Sequence, residues 1–244
     1  MTRSQPTWPL ALALVFTMTF PSLMSWLEFI VLPHDGDDAS VEIIAVFALA
    51  KLIQFGFPLV YVLWIARERI QLRWPTSEGV WLGISFAALV AAGMGLLYFG
   101  WLKHIDFIGD TPLKINEWLG KIHCASAPGY LAMAAFVSIP HSLLEEYYWR
   151  WFVFGRLERI MPLYAAIALS SLAFMGHHVV VLGFYFPGRF WIGAVPFSLC
   201  VAGGGVVWAW MYHRTQNLYA PWISHLLIDL AIMGVGYDMV CRYW

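Results

Sequence analysis

The chain has 244 residues, 61% of them hydrophobic and 12% charged, with a net charge of −1 and a mean hydropathy of +0.68. A soluble domain of this length would carry about twice that charge and would break its apolar residues into short periodic stretches. Runs of eighteen or more indicate instead a membrane protein that crosses the bilayer several times, and the charge balance leaves no basic footprint for nucleic acid.

Seven apolar stretches follow one another, over residues 9–32, 42–66, 79–102, 129–154, 160–182, 190–212 and 218–240. The expected fold is therefore all-α, a polytopic bundle of about seven transmembrane helices. The first stretch has an arginine before it, as a signal peptide would, but Pro21-Ser22-Leu23-Met24-Ser25-Trp26 continues apolar with no small-residue cleavage site, so it is read as a helix. Between the third and fourth stretches the polar run from Lys103 to His123 has room only for an interfacial helix, Leu113–Ile122. With no repeat, low-complexity tract or long linker, residues 1–244 are expected to form one domain.

Pro140 is expected to kink or start the fourth helix. The aromatics Tyr147, Tyr148, Trp149 and Trp151 that follow read as anchors at the membrane boundary. Gly203-Gly204-Gly205 in the sixth stretch suits close helix packing, since no Lys-Ser/Thr follows to make a phosphate loop. Gly234-Val235-Gly236-Tyr237-Asp238 reads as a helix end near the outer surface. Cys124, Cys200 and Cys241 are far apart, without C-x-x-C, and suggest neither a disulfide framework nor a thiolate zinc site.

The basic residues set the expected orientation. With the N-terminus inside, Arg3, Arg67, Arg69, Arg73, Arg150, Arg156, Arg159 and Arg214 fall on the inner side, against Lys103, Lys114, Lys121, Arg189 and Arg242 outside. The cluster Arg67-Glu68-Arg69-Ile70-Gln71-Leu72-Arg73 and the acidic loop Asp35-Gly36-Asp37-Asp38 on opposite sides strengthen that assignment.

Charges inside the apolar stretches carry the chemistry. An ionisable group near the bilayer centre costs roughly 2.5–3.5 kcal/mol on insertion scales and is by default functional. Glu145, Glu146 and Arg150 lie in the fourth stretch, His178 in the fifth, His225 and Asp229 in the seventh. Their expected depths from the inner surface span roughly 12–24 Å at 1.5 Å per residue, which permits one polar cluster. Glu146 and Arg150, four apart, are expected to neutralise one another. Glu145, turned about 100° away and sharing its face with His141 and Trp149, is left for proton transfer. His178 shares a face with Phe174, while His177 is expected to point elsewhere. His225 and Asp229, again four apart, let the carboxylate orient the imidazole.

These three segments, Glu145-Glu146-x-x-x-Arg150, Phe174-x-x-x-His178 and His225-x-x-x-Asp229, in this order on apolar helices, resemble the motifs of the CPBP family of CAAX-protease and bacteriocin-processing intramembrane proteases, type II CAAX prenyl endopeptidases among them. The resemblance covers a core at about 129–240; the first three stretches carry none of it. It implies an intramembrane endopeptidase acting on a membrane-attached protein, prenylated or carrying a C-terminal anchor, within membrane lipid. It further implies that Glu145 and His178 activate the attacking water, His225 with Asp229 stabilises the oxyanion, and Glu146 with Arg150 supports them.

The prenyl-protease branch usually has asparagine where this chain has Asp229. An ionised aspartate cannot donate to an oxyanion, so Asp229 is read as orienting His225. A glutamate-type mechanism without cofactor is favoured. Zinc on Glu145, His178 and His225 is the alternative, although no H-E-x-x-H helix is present. A non-hydrolytic reading, as an immunity or scaffold factor or a proton-coupled carrier, is the competing class. The expected location is a prokaryotic cytoplasmic membrane, with the site reached from the cytosolic side.

Overall fold

A computed structural model describes residues 7–32, 41–70 and 73–244, with side chains from 8 and, in the second range, from 46. Arg3, the acidic loop Asp35-Gly36-Asp37-Asp38 and Gln71-Leu72 lie outside the described residues. Seven helical spans are long and apolar enough to cross a membrane: Trp8–Val31, Val46–Ile65, Ser77–His104, Ala127–Leu157, Leu163–Tyr185, Phe190–Thr215 and Tyr219–Tyr243. The chain is an all-α, multi-pass integral membrane protein. Its outer faces fit that medium: Leu12, Leu89, Leu96 and Leu199 are 56–76% exposed, where a soluble bundle would bury them.

The helices are α1 (Thr7–Trp26, prolonged by a π-helical turn Leu27–Val31), α2 (Val41–Val60, with a π turn Tyr61–Ile65) and α3 (Ser77–Gly100). Next come α4 (Thr111–Lys121), α5 (Ala127–Phe136), α6 (Ser142–Glu146) and α7 (Gly155–Leu157). The last three are α8 (Leu163–Tyr185), α9 (Val195–Thr215) and α10 (Tyr219–Val240). Side-chain caps start two of them: Thr76 accepts from the Gly79 N–H and Ser126 from that of Gly129. Beyond α9, Gln216 adopts a left-handed conformation (φ 52°) and its N–H closes on the Tyr212 carbonyl, so the chain turns into α10 within a few residues.

Small residues bring the spans together, as expected where lipid removes the hydrophobic drive between helices. A Cβ on Gly83 of α3 would lie 2.5 Å from the Ala220 carbonyl oxygen of α10; one on Gly176 of α8 would meet Ser22 of α1 at 2.8 Å, and one on Gly205 of α9 would meet Ser171 at 3.2 Å. Of the Gly203-Gly204-Gly205 run only Gly205 packs against another helix. The core gathers around Tyr148, Trp149, Phe152 and Phe154, with Phe174, Trp208 and Met211 packed on them, all at most 4% exposed. Tyr148 and Trp149 are therefore not boundary anchors. Tyr148 donates to the Thr17 carbonyl at 2.8 Å, and Tyr147 to that of Phe55 at 3.1 Å, binding the fourth span to α1 and α2.

Polar ties close both ends. At one, Glu68 receives Arg156 at 2.6 Å and Arg159 at 3.1 Å, and Arg214 reaches Glu78 at 2.6 Å. Burial would raise the Glu68 carboxyl, but the two guanidinium groups outweigh it and hold it below the ordinary glutamate value. At the other end Asp238 takes Lys103 at 2.7 Å and Tyr98 at 2.8 Å, and Leu119 of α4 packs on Tyr130 and Val240. Arg150, counted above with the inner basic residues, is instead buried mid-bundle, 2% exposed.

Candidate active site

The fourth span alternates α and π turns along its length. Pro140 lacks an N–H to give the helix, and the backbone from Val137 to His141 widens into a π turn; a second π stretch covers Tyr147–Phe154. Between them the single α-turn α6 presents Glu145 and Glu146 in different directions.

Glu145 meets three imidazoles. Its Oε1 is 3.4 Å from His177 Nε2 and 3.6 Å from His141 Nε2; its Oε2 is 3.6 Å from His225 Nε2. These separations are longer than hydrogen bonds, so the carboxylate is ringed by polar groups rather than locked to one. The expectation that His177 points away is corrected here. His177 lies three residues beyond Phe174, and a separation of three shares a helix face as well as one of four does. Its ring lies parallel to Trp149 at 5.9 Å and 4.1 Å from the His178 ring. His178 itself has its Nδ1 3.1 Å from the Phe174 carbonyl. A carbonyl only accepts, so Nδ1 carries the hydrogen and Nε2 of the neutral ring is left as an acceptor.

Glu146 is fully buried and shared. Its Oε1 is 2.7 Å from His225 Nδ1 and 3.2 Å from Arg150 Nη1, the latter an ionic contact off hydrogen-bond angle. Glu146 thus does not serve Arg150 alone: it is the carboxylate hydrogen-bonded to His225. Asp229, given that task from the sequence, has its Oδ2 3.6 Å from the opposite nitrogen, Nε2. The reason is the span geometry, since α6 approaches α10 from the Nδ1 side. The Trp208 indole stacks on the His225 ring at 4.2 Å and 17° and donates its N–H to Ser224. The Arg150 guanidinium is held between the rings of Phe174 and Trp208, 4.5 and 5.0 Å from their centres.

Glu145, Glu146, Arg150, His225 and Asp229 thus form one buried group, with His178 beside His177 at its edge. The side chain of Glu145 is 8% exposed, those of Asp229 15% and His141 29%, which puts the opening on the His141 and Asp229 side. Glu146 Oε2, Arg150 Nη1, Trp149 Nε1 and His177 Nδ1 have no hydrogen-bond partner among the described residues, so the site can bind a polar guest. It does not gather the donor set of a metal: no three His, Cys, Asp or Glu side chains among the described residues are placed to hold one, and the zinc set Glu145, His178 and His225 is not assembled.

A cavity of about 1000 Å3 opens at the Glu68 and Arg156 end, lined by Arg69, Arg73, Leu143, Tyr147 and Trp222 among others. Leu143 and Trp222 come from the same helices as Glu145 and His225, which are not themselves among its lining residues.

Residues 127–231 match the family model described as Type II CAAX prenyl endopeptidase Rce1-like. No curated protein and no solved structure matches the chain.

Proposed function

We propose that this chain, whose residues 127–231 match the family model described as Type II CAAX prenyl endopeptidase Rce1-like, is a CAAX-type intramembrane protease that hydrolyses a peptide bond near the C-terminus of a membrane-attached, prenylated protein by a glutamate-type mechanism. Glu145 takes a proton from water while His177 and His178 hold it. The hydroxide adds to the scissile carbonyl, and the resulting oxyanion lies against His225 Nε2. Glu145 then passes the proton to the departing amine, and the C–N bond breaks.

Glu146, on Nδ1, keeps His225 facing the reaction, and the His225 ring donates from Nε2 when it carries both hydrogens. Asp229 then offsets the imidazolium charge from the far side. Arg150 holds Glu146 in place. The observation that carries this reading is the Glu145 carboxylate at membrane depth, 3.4–3.6 Å from three imidazole nitrogens. Zinc on Glu145, His178 and His225 is the alternative that the chelation arm of the test below decides. The cavity at the Arg69 and Arg73 end supports an approach of the substrate from that side, the cytosolic one when the N-terminus lies inside. Contacts of α1 and α3 with α8 and α10 support one folding unit over 1–244.

The test is cleavage of lipidated and unlipidated anchored peptides by purified protein, wild type against Glu145→Gln, with and without a zinc chelator. We expect kcat to fall by about 10²–10⁴-fold in the variant, as for loss of a general base, and wild-type cleavage to persist under chelation. Loss under chelation with recovery on adding zinc would establish a metalloprotease. Equal behaviour of the two proteins would favour a scaffold or carrier.

A further inference from the structure

The cavity at the Glu68 and Arg156 end carries an excess of positive charge at its mouth. Four arginines line it, Arg69, Arg73, Arg156 and Arg159, against two glutamates, Glu68 and Glu158. Both carboxylates are engaged: Glu68 with Arg156 at 2.6 Å and Arg159 at 3.1 Å, and Glu158 with His213 at 3.0 Å. Among the described residues Arg69 and Arg73 form no ion pair and no hydrogen bond through their side chains. They lie in the connection between the spans that end at Ile65 and begin at Ser77, at the level where lipid headgroups start. Two unmatched guanidinium groups thus face the same cavity at that level.

Deeper in, the walls change character. Leu59, Tyr147 and Trp151 line the cavity six to ten residues inside the span ends Ile65 and Leu157, about 9–15 Å at 1.5 Å per residue. The polar atoms of two of the wall rings are turned to the protein: Tyr147 donates to the Phe55 carbonyl at 3.1 Å and the Trp222 indole N–H to that of Ile139 at 3.2 Å. These walls therefore offer an apolar chain contact and leave little for a polar guest to bond. The guest that matches both halves is negative at one end and apolar along the other.

We propose that this cavity is a binding site for one anionic phospholipid, its phosphate held by Arg69 and Arg73 and one acyl chain lying along Leu59, Tyr147, Trp151 and Trp222. A guanidinium fork matches two phosphate oxygens at once, which makes arginine the suited partner. A zwitterionic headgroup would bring an ammonium to a mouth with four arginines and, among the described residues, no free carboxylate, so the charge balance selects an anionic one. Free phosphate would satisfy the arginines but leave the apolar half unfilled. The volume of about 1000 Å3 is at the upper end of those that enclose a small ligand. The site is independent of the protease reading of Glu145, which plays no part in it.

The test is a titration of the full-length protein in detergent with phosphatidylglycerol or phosphatidylcholine, counting bound lipid by native mass spectrometry, for wild type, an Arg69→Gln/Arg73→Gln double variant and Arg67→Gln. Arg67 belongs to the same connection but does not line the cavity, so its loss removes a charge without touching the site. We expect wild type to retain one phosphatidylglycerol in preference to phosphatidylcholine, the double variant to bind it about 10–30-fold more weakly, as for two arginines lost near an anionic headgroup, and Arg67→Gln to match wild type. Glycerol phosphate, which carries the charge without the chain, should not displace the lipid. Equal retention of the two lipids by wild type overturns the proposal, and so does an undiminished affinity in a double variant whose thermal midpoint is unchanged. Equal weakening in Arg67→Gln would show a diffuse basic surface and no site, and displacement by glycerol phosphate would show a phosphate site that uses no chain; either result overturns it as well.

Discussion

At the scale of single residues, the site depends on charges that cannot be removed one at a time. Arg150 is 2% exposed, touches the buried Glu146 carboxylate and fills the gap between Phe174 and Trp208. Arg150→Ala leaves Glu146 with His225 alone and opens a void between two rings. We expect it to destabilise the protein by about 3–5 kcal/mol, the usual cost of breaking a buried pair, measured as a fall in thermal midpoint in detergent. Arg150→Lys should not restore it, because an ammonium lacks the flat guanidinium face that stacks on both rings. Glu145 differs: none of its contacts is shorter than 3.4 Å, so its substitution should affect turnover more than folding.

At the scale of elements, α3 contributes through the face it lends α10. Gly83 leaves no room for a Cβ, with the Ala220 carbonyl oxygen at 2.5 Å and the Ser224 nitrogen, one residue before His225, at 3.5 Å. Gly83→Val should push α10 away and cost about 1–3 kcal/mol, the range for overpacking a tight contact. Cleavage should fall along with thermal stability, since the displaced helix carries His225. A variant that keeps both would show that the α3–α10 contact does not position the site.

At the scale of the whole molecule, the Glu68 bridge joins the α2–α3 connection to the end of the fourth span. Its carboxyl is held below the ordinary glutamate value by Arg156 and Arg159, against the opposing effect of burial. The unfolded chain therefore takes up the proton first, and stability rises with pH across the window between the two values. The bridge should contribute fully above about pH 4.3, the unperturbed glutamate value, and its contribution should vanish as pH falls through the lower folded value. Thermal midpoints of wild type and Glu68→Gln should differ at pH 7 and converge in acid; a constant gap would show that Glu68 stabilises by packing rather than by charge.

The sequence by itself determined the class and most of the cast. Long apolar runs define spans because a bilayer admits only backbones that satisfy their own hydrogen bonds. Charges inside such runs declare themselves by cost, which exposed Glu145, Glu146, Arg150 and Asp229. Helical phase put Glu146 with Arg150 and His141 with Glu145. Only the tertiary structure decided what phase cannot reach. Which nitrogen of His225 meets which carboxylate depends on the side from which α6 approaches α10, and that made Glu146 rather than Asp229 the partner of Nδ1. His177 entered the site because Trp149, on another helix, supplies a flat surface for it. Tyr148 and Trp149 became core because neighbouring spans cover them, although aromatic rings near a span end read as anchors. Gly83, in a helix outside the motif, matters only through what packs opposite it. Contacts within one helix follow from a periodicity written in the chain, whereas contacts between helices depend on neighbours far apart in it.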